Sequence, residues 1–406
     1  MKVVRLARLL PALLLVLAPF IEGCGNFWQA PSGSSGGGGT TPTTLSSGIF
    51  YVLNQTTDQI VAYDITSGSL TTIGTYSLTA APYAIAIGPG NAFLYVSTVA
   101  GIYLYTIDSS TGALTIGNNG SAISSDLAAA MTVDTTGTWL IDAETGASGG
   151  VILNAISITS SGALNSTTEQ QRSYTVANAS VEKMALSGDD AYIFLAAGQG
   201  GTLVIPFNAA NTNPFASTAG IVSTVTTNAS SLSVAVDPIV SPATTPRLFY
   251  IGETEASSNS GGLRAFNYSS LGTSKVTEIA GSPYSSGGLA PAAILPELSG
   301  TYVYVASGQG TSSDGVLQGF NIATSTSGST TTYSLSSIST VSTGIQPQSL
   351  AEDSLSNFVL AVSSGGSPDF DAYIFDTATE GKLDSSITST TGTDPTGAVV
   401  VAAQAP

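Results

Sequence analysis

Residues 93–115 read FLYVSTVAGIYLYTIDSSTGALT. Apolar and polar positions alternate, pause at a small-residue turn, alternate again, and end in Asp, Ser, Thr and Gly. A period of two predicts half-buried strands, and the small residues between them predict tight connections. Just before it, APYAIAIGPGNA (81–92) adds a Pro, a short apolar strand and a Gly/Pro/Asn turn. The unit is therefore four short strands joined by turns.

The unit recurs. Looser copies occupy residues 49–73, 131–165, 184–208, 233–269, 292–323 and 349–384. They start at intervals of about 45 to 60 residues, the spacing of four-stranded propeller blades, and number about seven. The first copy lacks its first strand. The chain closes on DPTGAVVVAA (394–403), a first strand with nothing after it. The simplest expectation is an all-β, seven-bladed propeller in which residues 398–403 complete the N-terminal blade and close the ring without an open edge. An open sandwich or solenoid leaves both half-copies unexplained.

The segments YVLN (51–54), YVST (95–98) and YVAS (304–307) each precede a small-residue turn and a strand ending in Asp or Asn. Asp64, Asp108, Asn208, Asn267, Asn321 and Asp376 are those ends, which usually close turns by bonding nearby backbone. This pattern resembles the YVTN-type repeats. Over about residues 48 to 403 the chain also resembles the lactonase-type seven-bladed propellers, which include bacterial phosphogluconolactonase. That resemblance implies a polar cluster with Arg, Glu and His at one mouth of the central channel.

Composition changes this picture in three ways. There is no histidine, so imidazole-based triads and His-ligated metal sites are excluded. The net charge is −17, which argues against nucleic acid as a partner. The single Cys excludes an internal disulfide. It sits in MKVVRLARLLPALLLVLAPFIEGCGNFW, after a basic start (Lys2, Arg5, Arg8) and an apolar run over 9–20. This resembles a lipoprotein signal, with Cys24 lipidated after removal of residues 1–23; an ordinary secretion signal or an uncleaved anchor is the alternative. Residues 24–47 then form a Gly/Ser/Thr-rich tether of roughly 25 Å reach, and residues 48–406 form the folded domain. The expected location is the bacterial cell envelope, at the outer membrane or cell surface, as a monomer held through Cys24.

Candidate chemistry is sparse. The loops expected at one mouth carry Asp58, Glu144, Glu253, Glu255, Asp314, Asp369 and Asp371, all acidic. Glu253, Glu255, Asp314, Asp369 and Asp371 are candidate ligand-binding residues, and the paired carboxylates are candidate Ca²⁺ holders with backbone oxygens. The plain alternative is that these loops are solvated and keep a β-rich surface soluble. Aligned first strands place Ala84, Ala130, Lys183, Ser233, Ala293, Ser349 and Gly397 in one slot. Only Lys183 is large, and Glu182 precedes it. The pair is a candidate for ligand binding or proton transfer at the channel; an edge ion pair facing solvent is the alternative. With no histidine and no arginine on these loops, the sequence favours a binding or scaffolding module for a protein, glycan or small ligand. The other reading is a lactonase-like hydrolase at the central channel.

Overall fold

The structure, a computed structural model, describes residues 48–65, 69–147, 149–238, 247–257, 260–268, 276–328, 330–353, 355–366, 368–389 and 400–402. The expected signal peptide, Cys24, the tether, Lys275 and Gly397 lie outside the described residues.

Strands Pro82–Ile87, Phe93–Thr98, Gly101–Ile107 and Leu114–Ile116 form one antiparallel sheet in chain order. Ala130–Val133, Trp139–Thr145, Val151–Ile158 and Leu164–Tyr174 form another. Ile49–Asn54, Gln59–Asp64 and Thr71–Ser77 make a third, and Val400–Ala402 supplies its fourth strand through Phe50↔Ala402, Tyr51↔Val401 and Val52↔Val400. The remaining strands run on into two wider sheets, where the sequence implied separate ones. A nine-stranded sheet joins two units through the single pair Gly198↔Ser231. A seven-stranded sheet shares Thr330–Glu352, which pairs first with Asp314–Ser327 and then with Val359–Gly365. In the seven-stranded sheet the chain passes extended within Thr330–Glu352 from one unit's outer strand to the next unit's inner strand, so the ladder continues; in the nine-stranded sheet a second strand meets the next unit's first strand at one bridge.

Corner chemistry repeats with the sheets. The turn after the first strand closes by the same backbone bond each time: Gly88 N–H to Phe93 O, Asp134 to Trp139, Ser187 to Tyr192, Glu297 to Tyr302 and Asp353 to Phe358, all 2.9–3.1 Å. Its fourth residue is left-handed: Asn91, Gly137, Asp190, Gly300 and Ser356 have φ of 52–69°. Asp108, Asn208 and Asp376 accept backbone N–H groups two or three residues on, as their position at strand ends implied.

Sheets pack face to face. Among the described residues seven apolar clusters each join successive four-stranded units. The last of these sets Ala351, Leu360 and Phe370 against Phe50, Val52 and Tyr63, with Phe50 and Phe370 stacked at 5.2 Å. The first strands adjoin one another in order: Pro82–Ile87, Ala130–Val133, Ala179–Leu186, Ser231–Val236, Ala290–Pro296 and Thr330–Glu352. Val400–Ala402 touches both Thr330–Glu352 and Pro82–Ile87.

Tyrosine fixes the spacing. Tyr51 OH donates to Gly112 O at 2.9 Å, Tyr95 OH to Gly162 O at 2.9 Å, and Tyr304 OH to Gly381 O at 2.7 Å. Each hydroxyl reaches a turn glycine of the next unit. Those glycines have φ of 73–79°, and a Cβ would press on Ile49, Phe93 or Tyr302 of the preceding unit. Glycine is needed there both for the backbone region and for close approach. Trp139 Nε1–H makes a related bond to Ala209 O at 3.1 Å.

Tyr95→Phe should lower stability by about 1–3 kcal/mol, because the buried Gly162 carbonyl loses its donor. Gly162→Ala should cost more, since strain and overlap with Phe93 add. Urea unfolding of both variants checks the order; a Gly162→Ala variant as stable as the parent contradicts it.

Candidate functional site

The first strands share one register device. One extra residue bulges just before the aligned slot in four of them: Tyr83, Leu232, Ala292 and Gln348. The slot itself pairs Ala84 with Ser97, Ser233 with Gly252, Ala293 with Ala306, and Ser349 with Val362. In Ala179–Leu186 the bulge is larger. Three residues, Ser180, Val181 and Glu182, stand opposite Ala197 alone, and Lys183 then pairs with Ala196. Bulges re-aim side chains and break the strict up–down alternation.

This enlarged bulge is held at both ends. Val181 N–H donates to Thr145 Oγ1 of the preceding sheet at 2.9 Å. Ser180 Oγ–H donates to Glu182 Oε1 at 2.7 Å. Gly198 lies opposite at φ 58°, where a Cβ would overlap Ser180 Oγ.

Lys183 is half-buried. Its ammonium makes no hydrogen bond or ion pair among the described residues. Burial lowers its pKa from the ordinary lysine value, and the Glu182 carboxylate partly offsets that. By contrast Lys382 is gripped by Asp376 and Asp384, both at 2.7 Å, and hydrogen bonds to those carboxylates raise its pKa.

The acidic loop residues divide into two groups. Glu253 is 1% exposed and holds Arg264 Nη1–H at 2.9 Å; it also accepts Val225 N–H. Arg264 forks onto Glu278 at 3.0 and 2.8 Å and lies over Phe266 at 5.0 Å. Glu255 is exposed with φ 56° and accepts Thr226 Oγ1–H at 3.2 Å. In the other group Asp314 is exposed, while Asp369 and Asp371 are buried. Asp371 accepts Gly344 N–H at 3.2 Å. Burial pushes it up to about 6, the Gly344 bond opposes this, and Asp369 and Asp314 add to the rise.

Asp314 and Asp369 lie near enough to Asp371 to act on its charge, and three of the five candidates, Glu253, Asp369 and Asp371, are buried rather than the solvated loop residues the alternative reading implied. The second-strand end at Glu253 and the third-strand start at Asp369 and Asp371 run further into the sheet stack than loop composition suggests, so Glu253 is enclosed with Arg264 and Asp371 with the Gly344 N–H group. Among the described residues no three Asp, Glu or Cys groups are arranged to hold a metal ion.

Sequence reasoning passed over Asp142. It is fully buried in the strand Trp139–Thr145 and accepts Asn154 Nδ2–H at 3.0 Å; Asn154 Oδ1 accepts Gln171 Nε2–H at 3.0 Å. Burial holds its carboxyl well above the usual range, with Asp126, Glu144 and Glu169 adding to the rise. The available signal was a carboxylate at a core register within the apolar run WLIDAET.

No family model matches the sequence, and no curated protein matches it. Solved structures do match. A provisional 6-phosphogluconolactonase from Bacteroides uniformis superimposes with a TM-score of 0.62 at 16% identity, covering 88% of this chain and 100% of that one. The periplasmic gluconolactonase PpgL of Pseudomonas aeruginosa gives 0.56 at 15%, covering 87% and 99%. A protein of unknown function from Desulfotomaculum acetoxidans gives 0.61 at 11%, covering 88% and 99%. At these identities the likeness shows the fold alone: an all-β propeller architecture built from antiparallel four-stranded sheets.

Two predictions follow from the buried charges. Glu253→Ala removes one of the two carboxylates that hold the buried Arg264, which keeps its fork onto Glu278, and should cost about 1–3 kcal/mol, read by thermal or urea unfolding. The pH profile has a definite sign. Asp371 at about 6 and Glu352 at about 7, both raised chiefly by burial, bind protons in the folded state that unfolded carboxylates, near about 4, do not. Their contribution is fully present below about pH 4 and is lost as pH rises through 6 and 7. Asp108 and Asp376, held at about 2 by hydrogen bonds, titrate below that window. The melting temperature should be higher at pH 5 than at pH 7.5, and Asp371→Asn should flatten the slope.

Proposed function

We propose that this protein is an envelope lipoprotein whose four-stranded units close into a seven-bladed propeller, with a histidine-free, lactonase-like hydrolase site at Glu182 and Lys183. The observation that carries the site is Lys183 itself: a side chain without an ion pair among the described residues, in a slot where the described sister strands hold Ala or Ser. Closure is supported by the packing of Phe370 on Phe50 and by the pairing of Val400–Ala402 with Ile49–Asn54. Lipid attachment at Cys24, outer-membrane or surface exposure and a monomeric state rest on the sequence, and the YVTN-type repeat on the three tyrosine segments.

The hydrolase reading gains from the comparisons, because two of the matched folds carry gluconolactonase names. In this reading Glu182 takes a proton from water as the water oxygen adds to the lactone carbonyl. Lys183 stands beside the oxyanion that develops and lowers its energy in a site poor in other cations. The ring C–O bond then breaks, and the leaving ring oxygen recovers the proton from Glu182. The product is the open hydroxy acid. Ser180 fixes the Glu182 carboxylate through one oxygen, which leaves the other for water.

A binding module for a protein or glycan is the second reading. One observation favours it: Tyr83 and Leu127 are 44% and 52% exposed at the entries to adjacent first strands. Exposed apolar groups of that size suit sugar faces or a protein partner.

The deciding experiment is lactone opening by the purified mature protein, followed by pH-stat over a panel of neutral and anionic sugar lactones. Turnover is expected, with Glu182→Gln lowering it by about 10²-fold or more and Lys183→Ala abolishing it. No turnover of any lactone by the folded parent overturns the hydrolase reading.

A further inference from the structure

We infer that Lys183 is a reactive amine that captures small carbonyl compounds, an aldehyde or an open-chain aldose, as an imine. The inference uses the same two residues as the hydrolase reading but a different chemistry, so the two can fail separately.

Four observations carry it. Lys183 has no hydrogen bond or ion pair among the described residues. It is half-buried on an innermost strand, and the slots level with it hold Ala84, Ala130, Ser233, Ala293 and Ser349. The side chains in those slots are all short. The enlarged bulge relaxes the alternation that would send Glu182 and Lys183 to opposite faces. Desolvation favours the neutral amine, the nucleophilic form, as in lysines that work through Schiff bases.

The step balances without any other reagent. The Lys183 nitrogen adds to the carbonyl carbon, and one N–H proton passes by way of Glu182 to the carbonyl oxygen, giving a carbinolamine. The second N–H proton leaves with that hydroxyl as water, and the C=N bond forms. Hydrolysis reverses the sequence and releases the carbonyl compound.

Few lysines compete. The chain has four: Lys2, Lys183, Lys275 and Lys382. Lys382 is an internal control, because two carboxylates hold it as an ammonium.

The test treats the mature protein with glyceraldehyde and sodium borohydride at pH 7 and maps reduced adducts by mass spectrometry. Lys183 should be modified first, faster than Lys382 by about tenfold or more, and Glu182→Gln should slow capture and move its pH profile. Equal labelling of Lys183 and Lys382, or none at Lys183, overturns the inference. Because both lysines are read in one unmodified molecule, the comparison survives even if a variant at 183 fails to fold. Selective capture without lactone opening keeps this inference and removes the hydrolase reading. Lactone opening without capture does the reverse.

Discussion

Every sheet in this protein must bury both of its faces against neighbours, and that requirement governs the rest. A lone four-stranded sheet with alternating apolar residues has no core of its own. Here each face meets the next sheet in an apolar cluster, and at three of these contacts a buried tyrosine fixes how closely the two approach. The hydroxyl of Tyr51, Tyr95 or Tyr304 bonds a glycine carbonyl one unit away. That bond works only because the glycine turns left-handed and lacks a Cβ that would push the sheets apart. Position and chemistry of the tyrosine and the glycine are therefore one constraint, met twice in sequence and once in space.

The same packing decides where charge sits. With both faces of each sheet apolar, a carboxylate placed within a strand is enclosed unless it lies at a corner. Glu253 survives enclosure because Arg264 reaches it and Glu278 holds Arg264 from the other side. Asp142 has Asn154 and no cation, and its carboxyl is driven toward the neutral form. Burial of this kind costs several kcal/mol per ion when uncompensated, so these groups couple the fold to pH more than the exposed surface charge does.

Against that background the strand Ala179–Leu186 stands apart. Its sisters present small residues in the aligned slot, and it presents a lysine after a bulge wider than theirs. Structural pairing places Lys183 level with Ala84, Ser233, Ala293 and Ser349, the same slot that the sequence alignment assigns. The absence of histidine requires that any acid–base work there fall to other groups.

Much of this was legible in the chain. Alternation, turn residues and the repeat spacing dictate an all-β protein of four-stranded units, because each signal is local and recurs. The odd lysine was visible for the same reason: seven copies make one departure conspicuous. What the sequence could not carry was register depth and partnership. Whether Glu253 or Asp371 faces water depends on how far a strand end runs into the stack, and Arg264 finds Glu253 and Glu278 only through neighbouring strands. Asp142 carried a local signal, its core register in an apolar run, but its partner Asn154 lies on the neighbouring strand. Sheet joining through Gly198 and Ser231, and the enclosure of these acids, were decided by tertiary packing, since both depend on contacts between residues far apart in the chain.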